Sequence, residues 1–348
     1  MKVLCMTERG IPEEKKYGKL EILDMPMPEV GDEDVLIRIC YSAICGSDPH
    51  ILSGMLASEL PTGMGHEMCG IVEKVGAKVG KGETHRDIKV GDKVTGNFVR
   101  FCGTCFFCRN GMENLCPVLG QGWNACQAEY VLWHESQVYK VPENMDFMTA
   151  CLTEPTAIAL RMVEKMELRI GNRVAVIGGG IGQLVAQIAR ISGASSVTLI
   201  EPVEGKRKLA ESVGIDYTID PMNEDQMARA MEITDGRGFD NIVETSGNAK
   251  AAENALAILA TGGHIVFPAM YNMQYNLPLN LYHECYLKEK TIHGCLMSPY
   301  SFPRTIQMLP RLQLKPLIQS VHALEEYNEA YADAISGKFI KVVFDLTH

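Results

Sequence analysis

No stretch of this chain approaches the roughly 18 consecutive apolar residues that a membrane-spanning helix needs. The opening residues, MKVLCMTERG, lack the long apolar core of a secretory leader. These absences predict a soluble, cytoplasmic protein without a membrane partner. Positive charge is scarce as well: 33 Lys and Arg stand against 43 Asp and Glu, a formal net charge of −10. The acidic residues are scattered, so the phosphate-neutralising surface that nucleic-acid binding requires is missing, which excludes nucleic acid as a partner. Internal repeats, low-complexity tracts and flexible linkers are lacking too. What remains is an ordinary globular composition, 46% hydrophobic and 22% charged. At 348 residues the chain is long for one compact domain and predicts two, each able to bury a core.

The order of local patterns divides the chain. Early on, short apolar runs at Val35–Cys40, Met68–Val75, Lys93–Asn97 and Glu129–Val131 alternate with Gly, Pro, Asp and Asn, the signature of strands joined by turns in a β-rich or barrel-like unit. From about Arg173 the pattern changes. RVAVIG, SVTLIEP, DYTID, DNIVETSG and GHIVFPAM read as buried strands, and Ile181–Ser192, Lys206–Val213, Glu224–Ile233 and Lys250–Ala260 as the helices between them. Such alternation predicts a doubly wound parallel sheet with helices on both faces, giving an α/β two-domain protein. After about Thr291 short mixed elements return, punctuated by Pro299, Pro303, Pro310 and Pro316, and end in the strand-like Ile340–Leu346. We therefore expect residues 1–152, with 291–348 returning to them, to form one domain and residues 153–290 the other.

Twelve cysteines are many for a reduced compartment, and four of them, Cys102, Cys105, Cys108 and Cys116, stand within CGTCFFCRNGMENLC. This C-x2-C-x2-C-x7-C spacing can bring four thiolates to the corners of a tetrahedron, as zinc prefers. Four sulfurs leave no open position, so a zinc here is expected to be structural. An iron–sulfur cluster uses similar spacings and is the alternative.

A second metal site is suggested by residues farther apart. Cys45 lies in ICGSDPH, His66 and Glu67 in GMGHEMCG, and Glu154 opens the EPTA stretch. One thiolate, one imidazole and one or two carboxylates suit a zinc that retains a position for substrate. Taken singly, each residue has a plainer explanation: a small buried thiol, a satisfied core histidine, an acid favoured at a helix N-terminus. Ser47 is placed to accept a substrate hydroxyl proton and His50 to carry it to bulk water. Asp48 is placed to hold the distal nitrogen of His66. An ordinary turn would also account for Ser47 and Asp48.

The run Gly178, Gly179, Gly180, Ile181, Gly182 follows an apolar strand and opens a helix, where glycines let backbone approach a pyrophosphate and unpaired N–H groups meet its charge. An acid, Glu201, ends the next strand, near the separation expected of the residue that accepts from the adenine-side ribose diol. Its carboxylate favours NAD(H) over NADP(H), although Lys206 and Arg207 are close enough in sequence to reach a phosphate.

Together these residues resemble the zinc-dependent medium-chain alcohol dehydrogenases, most closely the branch containing sorbitol, threonine and butanediol dehydrogenases. The resemblance spans essentially the whole chain and rests on CGSDPH, GHE, the four-cysteine lobe, the EP pair and the glycine loop followed by an acid. It implies a GroES-like catalytic domain built from both chain ends, a Rossmann domain between them, two zinc ions per chain and a homodimer or homotetramer. It further implies that Cys45 and His66 ligate the catalytic zinc and that Glu67 and Glu154 are its carboxylates. Ser47 and His50 match the family's proton relay, which also passes through a nicotinamide ribose hydroxyl. The implied reaction is hydride transfer between NAD and a secondary alcohol such as a polyol, cyclitol, sugar acid or vicinal diol, giving a ketone. Oxidation of an amino alcohol such as threonine is an alternative. So are a zinc-free NADPH-dependent reductase on the same fold and a nucleotide-binding protein without turnover. Three departures stand out: the glycine loop is one residue shorter than G-x-G-x-x-G, Ile51 replaces an aromatic after His50, and Leu296 and Met297 occupy a segment where sorbitol dehydrogenases carry an arginine. The last two speak against sorbitol itself.

Overall fold

A computed structural model describes residues 1–14, 16–56, 59–81, 87–118 and 125–348. The chain falls into two compact units, Met1–Pro155 with Pro299–His348, and Thr156–Ser298.

The first unit opens with β1 (Lys2–Glu8), β2 (Lys19–Asp24), β3 (Asp34–Ala43), β4 (Thr62–Gly63), β5 (Glu67–Val75), β6 (Lys93–Gly96), β7 (Tyr130–His134) and β8 (Val138–Lys140). The second unit supplies β9 (Arg173–Ile177), β10 (Ser196–Ile200), β11 (Tyr217–Ile219), β12 (Phe239–Glu244), β13 (Leu259–Phe267) and β14 (Thr291–Gly294). The first unit then resumes with β15 (Ile318–Ala323) and β16 (Lys341–Asp345).

In the first unit β2, β1 and β4 make a small antiparallel sheet, and a larger sheet runs β15-β16-β3-β5-β6-β8 with β7 also on β3. β3 is the hub because nearly all of DVLIRICYSA is buried and three strands pair with it. The C-terminal β16 lies antiparallel against its end, with Val343 opposite Ala43. Leu4, Met6, Ile44, Ile51, Met64, Tyr331 and Phe344 share one core cluster, so both ends of the chain close the same unit. β1 and β2 were not among the strands expected. KVLCMTE mixes Met, Glu and Lys, and only its pairing with β2 and β4 selects the extended form.

The second unit is a six-stranded sheet in the order β11-β10-β9-β12-β13-β14, with every neighbouring pair parallel. This is the doubly wound order of a dinucleotide-binding fold, and it reverses direction between β9 and β12. The helices follow their caps. Asp225 accepts from Ala228 N–H and starts the helix Gln226–Ile233, and Asn248 accepts from Lys250 and Ala251 N–H and starts Ala249–Ile258. That second helix stops before the expected Ala260, because Leu259 and Ala260 enter β13.

One expected boundary is corrected. Residues 291–348 do not all return to the first unit, since β14 pairs in parallel with β13 (His264 opposite Thr291, Phe267 opposite Gly294) and is the sixth strand of the second sheet. The run is short and flanked by turn residues, so its place could only be settled by pairing. Likewise Thr153, Glu154 and Pro155 belong to the first unit although they begin the helix Thr153–Lys165.

Candidate active site

The candidate metal residues sit where three adjacent strands end. Cys45 lies just past the end of β3, Glu67 begins β5 opposite Ala43, and Lys341 begins β16, the neighbour of β3 on its other side. The ligand atoms of Cys45, His66 and Glu67 all lie within 4.8 Å of one another, which a single ion can span. Asp48 opens the short helix Asp48–Leu52 and is fully buried. Its Oδ2 accepts from Cys45 N–H at 3.0 Å and from Gln127 Nε2 at 3.3 Å, and its Oδ1 faces His66 Nδ1 at 3.6 Å. Tyr331 donates to Gln127 Oε1 at 2.8 Å and completes this buried chain. An imidazole whose Nδ1 faces a carboxylate presents Nε2 as its outward donor. The His66 ring also packs against Phe98, centroids 4.7 Å apart.

Glu67 has a partner that the sequence did not suggest. Lys341 Nζ donates to both of its carboxylate oxygens at 2.6 Å and also reaches the carbonyl of Ile44 at 3.4 Å. A lysine inside the otherwise apolar FIKVVF run was the available signal, since an ammonium does not enter a buried strand unpaired. Glu154 is buried at the first turn of its helix, where the dipole tolerates a negative charge.

The electrostatics of this site call for a cation. Burial, with the charge of Glu67 next, pushes the Cys45 thiol up to about 12. Burial raises the Glu154 carboxyl to about 8, with His66 opposing and Glu67 and Cys45 adding to the rise. Burial lifts Asp48 above the usual carboxylate range against the pull of His66. Burial alone would lower Lys341, but Glu67 and Cys45 carry it up to about 12. Four acids meet one lysine and one histidine in a dry setting, and a divalent ion would relieve that imbalance. The residues present therefore fit zinc.

Ser47 and His50 occupy one short turn of the same segment. Ser47 N–H donates to Cys45 Sγ at 3.5 Å, and both side chains are half-buried. Burial holds His50 below the usual imidazole range, so it is an uncharged acceptor at neutral pH.

The four cysteines also gather. Cys102 Sγ lies 3.9 Å from Cys108 Sγ and 3.6 Å from Cys116 Sγ, and all four sulfurs are within 4.8 Å of one another. A tetrahedron with metal–sulfur bonds of ~2.3 Å has edges of about 3.8 Å. Sulfurs this close leave room for a single ion and not for a multi-iron cluster. Backbone N–H groups of Cys105 and Cys108 point at the sulfurs of Cys102 and Cys105, as thiolates require. Hydrogen bonds from Thr104 bring Cys102 down to about 6. Tyr300 fastens the lobe, donating its OH to Cys108 carbonyl and its N–H to Glu113 Oε1, each at 2.8 Å.

In the second unit the glycine loop divides its tasks. Gly178 directly follows β9 at φ +96°, and a Cβ there would meet Thr245 Oγ1 at 2.8 Å, so only glycine fits. Gly182 starts the helix Gly182–Ile191 within 3.0 Å, measured from an added Cβ, of Val176, which makes it the close-packing glycine despite the shortened loop. Gly180 has open space where a side chain would stand. Glu201 is buried, and its Oε2 accepts from Gly179 N–H at 2.5 Å while Oε1 accepts from Val203 N–H at 2.8 Å. The acid thus braces the glycine loop itself, a role the sequence reading missed. Arg207 is turned inward: it donates to the carbonyls of Glu201 and Pro202 at 2.7 Å and pairs with Asp220 at 2.8 Å. The open backbone above the helix N-terminus, with an acid beside it, fits a dinucleotide.

Comparison with known proteins bears on the same residues. An alcohol dehydrogenase GroES-like domain matches residues 31–143, and a zinc-binding dehydrogenase domain matches 180–312. The chain is 30% identical to a D-arabitol-phosphate dehydrogenase of Enterococcus avium over 98% of both chains. The chain belongs to the zinc-dependent medium-chain alcohol dehydrogenases. It is an oxidoreductase of the alcohol and polyol dehydrogenase type. It is also 33% identical to an L-threonine 3-dehydrogenase of Pyrococcus furiosus, covering 95% of this chain and 96% of that one. A solved structure from Sinorhizobium meliloti bound to NADP superimposes with a TM-score of 0.87 at 28% identity, over 99% of this chain and 98% of that one. Among the described residues no helix is long and apolar enough to cross a membrane.

Proposed function

We propose that this chain oxidises a secondary alcohol of the polyol or vicinal-diol class to a ketone with NAD, using a zinc held by Cys45, His66 and one of the carboxylates Glu67 and Glu154. The observation that carries this reading is the convergence of Cys45, His66 and Glu67 at the ends of β3 and β5, backed by Asp48 behind the imidazole. When bound, the metal lowers the pKa of an alcohol oxygen and the nicotinamide takes up the hydride. The chain's residues do the rest. Lys341 holds Glu67 in place, Asp48 keeps His66 in the tautomer with Nε2 free to ligate, Ser47 accepts the hydroxyl proton and His50 carries it to solvent. Cys102, Cys105, Cys108 and Cys116 hold a second, structural zinc. Gly178, Gly179, Gly180, Ile181 and Gly182 seat the pyrophosphate, and Glu201 disfavours a 2′-phosphate while Arg207, tied to Asp220, is not spare to receive one. A homodimer or homotetramer belongs to the same reading, supported by the exposed Met273, Leu281, Tyr282 and Tyr286 of the second unit. NADH formation over a panel of polyols, inositols, aldonates, butanediol and threonine tests it. Turnover of threonine alone would replace the polyol class, and turnover of none would end the proposal.

Two further outcomes are expected. Neutral His50 accepts a proton only above its depressed pKa, so kcat/KM for oxidation should fall as pH drops through a point below ~6.5. His50→Asn should abolish that acid limb and slow oxidation about 10²-fold at neutral pH; an unchanged profile removes His50 from the relay. Glu201→Gln loses a charged acceptor for two N–H groups, and KM for NAD should rise roughly tenfold or more, with the preference over NADP narrowed. Steady-state kinetics with both cofactors reads this directly.

A further inference from the structure

A third group of metal-binding side chains lies within the second unit, away from both sites above. His264 stands on β13 and His293 on the neighbouring β14, where Val266 is the residue opposite His293. The two histidines are therefore offset by two positions and share one face of the sheet. Glu167, in the left-handed turn just after the helix Thr153–Lys165, lies beside them. His264 Nδ1 is 3.3 Å from His293 Nε2 and 3.8 Å from Glu167 Oε2, and the three ligand atoms lie within 4.8 Å of one another. Nothing in the dehydrogenase reaction uses these residues.

From this juxtaposition we infer that Glu167, His264 and His293 form a third site for a divalent transition-metal ion such as zinc. Two nitrogens bound tetrahedrally at ~2.0–2.1 Å lie about 3.4 Å apart, close to the separation found here. Imidazole with carboxylate is the donor set that zinc, copper and nickel share, and it leaves one or more positions open to water. The rings face one another nearly parallel, 13° apart, so binding requires modest χ2 rotation, a soft torsion for histidine. A hydrogen bond between two neutral imidazoles also accounts for 3.3 Å, but it gives no role to Glu167. A metal would fasten the short β14 to β13 and to the turn after the helix.

Zinc ion alone is the probe, added to the full-length enzyme whose other sites are already filled. Equilibrium dialysis should find about one more zinc per chain in the wild type than in His264→Ala or His293→Gln, and Glu167→Gln should weaken that binding by at least the ~10–100-fold that losing an outer partner costs. Zinc should raise the melting temperature of the wild type and not of the histidine variants. Cobalt added to the zinc-filled enzyme should give weak ligand-field bands without the thiolate charge-transfer absorption of a cysteine site, and this needs no variant to fold. Equal zinc in wild type and variants, or no new cobalt bands, would reduce the trio to a hydrogen-bonded pair beside an acid and overturn the inference.

Discussion

Cys45→Ala is expected to lower kcat/KM by roughly 10³-fold or more and to remove one zinc per chain while leaving the cysteine lobe loaded. Cys45 is half-buried beside the buried Glu67, Glu154 and Asp48, and its thiol resists ionisation until a cation arrives. Charge stabilisation by a bound metal is worth several kcal/mol, and each ~1.36 kcal/mol is a decade in rate. Removing the thiolate takes one of the three gathered ligand atoms from the proposed site, and alanine brings none in its place. Zinc analysis alongside kinetics separates this from misfolding. A variant that keeps both the metal and the activity would show that the ion is held elsewhere.

Lys341→Met should cost about 3–5 kcal/mol of stability in metal-depleted protein, the usual result of leaving one member of a buried ion pair uncompensated. Glu67 is fully buried and Lys341 nearly so, so water cannot take the place of the lost ammonium. The loss should shrink when zinc is present, because a divalent ion supplies the missing positive charge to the same carboxylate. Lys341→Arg should restore part of the stability. Urea denaturation of each protein, with and without chelator, measures both effects; a loss below ~1 kcal/mol without metal would mean that the pair contributes little to holding Glu67.

Legibility in the sequence followed locality. The alternation after Arg173 read correctly as a parallel sheet because each buried strand and each helix carries its own periodicity, and the caps Asp225 and Asn248 mark helix starts that differ from the expected ones by a residue or two. The cysteine lobe was equally visible, since its spacing is local. Contacts between distant segments were not. β14 looked like part of the returning tail until its pairing with β13 was known. Lys341, Gln127 and Tyr331 meet Glu67 and Asp48 only through the sheet and the core, at separations of 79 to 274 residues. The brace that Glu201 gives the glycine loop depends on a backbone bend at Gly179 that no residue pattern encodes.

The proposed reaction depends on one metal ion shared by Cys45 and His66. Anomalous diffraction at the zinc edge from crystals of the enzyme tests it. A peak is expected ~2.3 Å from Cys45 Sγ and ~2.0–2.1 Å from His66 Nε2, with Glu67 or Glu154 completing the coordination. A map with zinc at the cysteine lobe and none between these two side chains would contradict it.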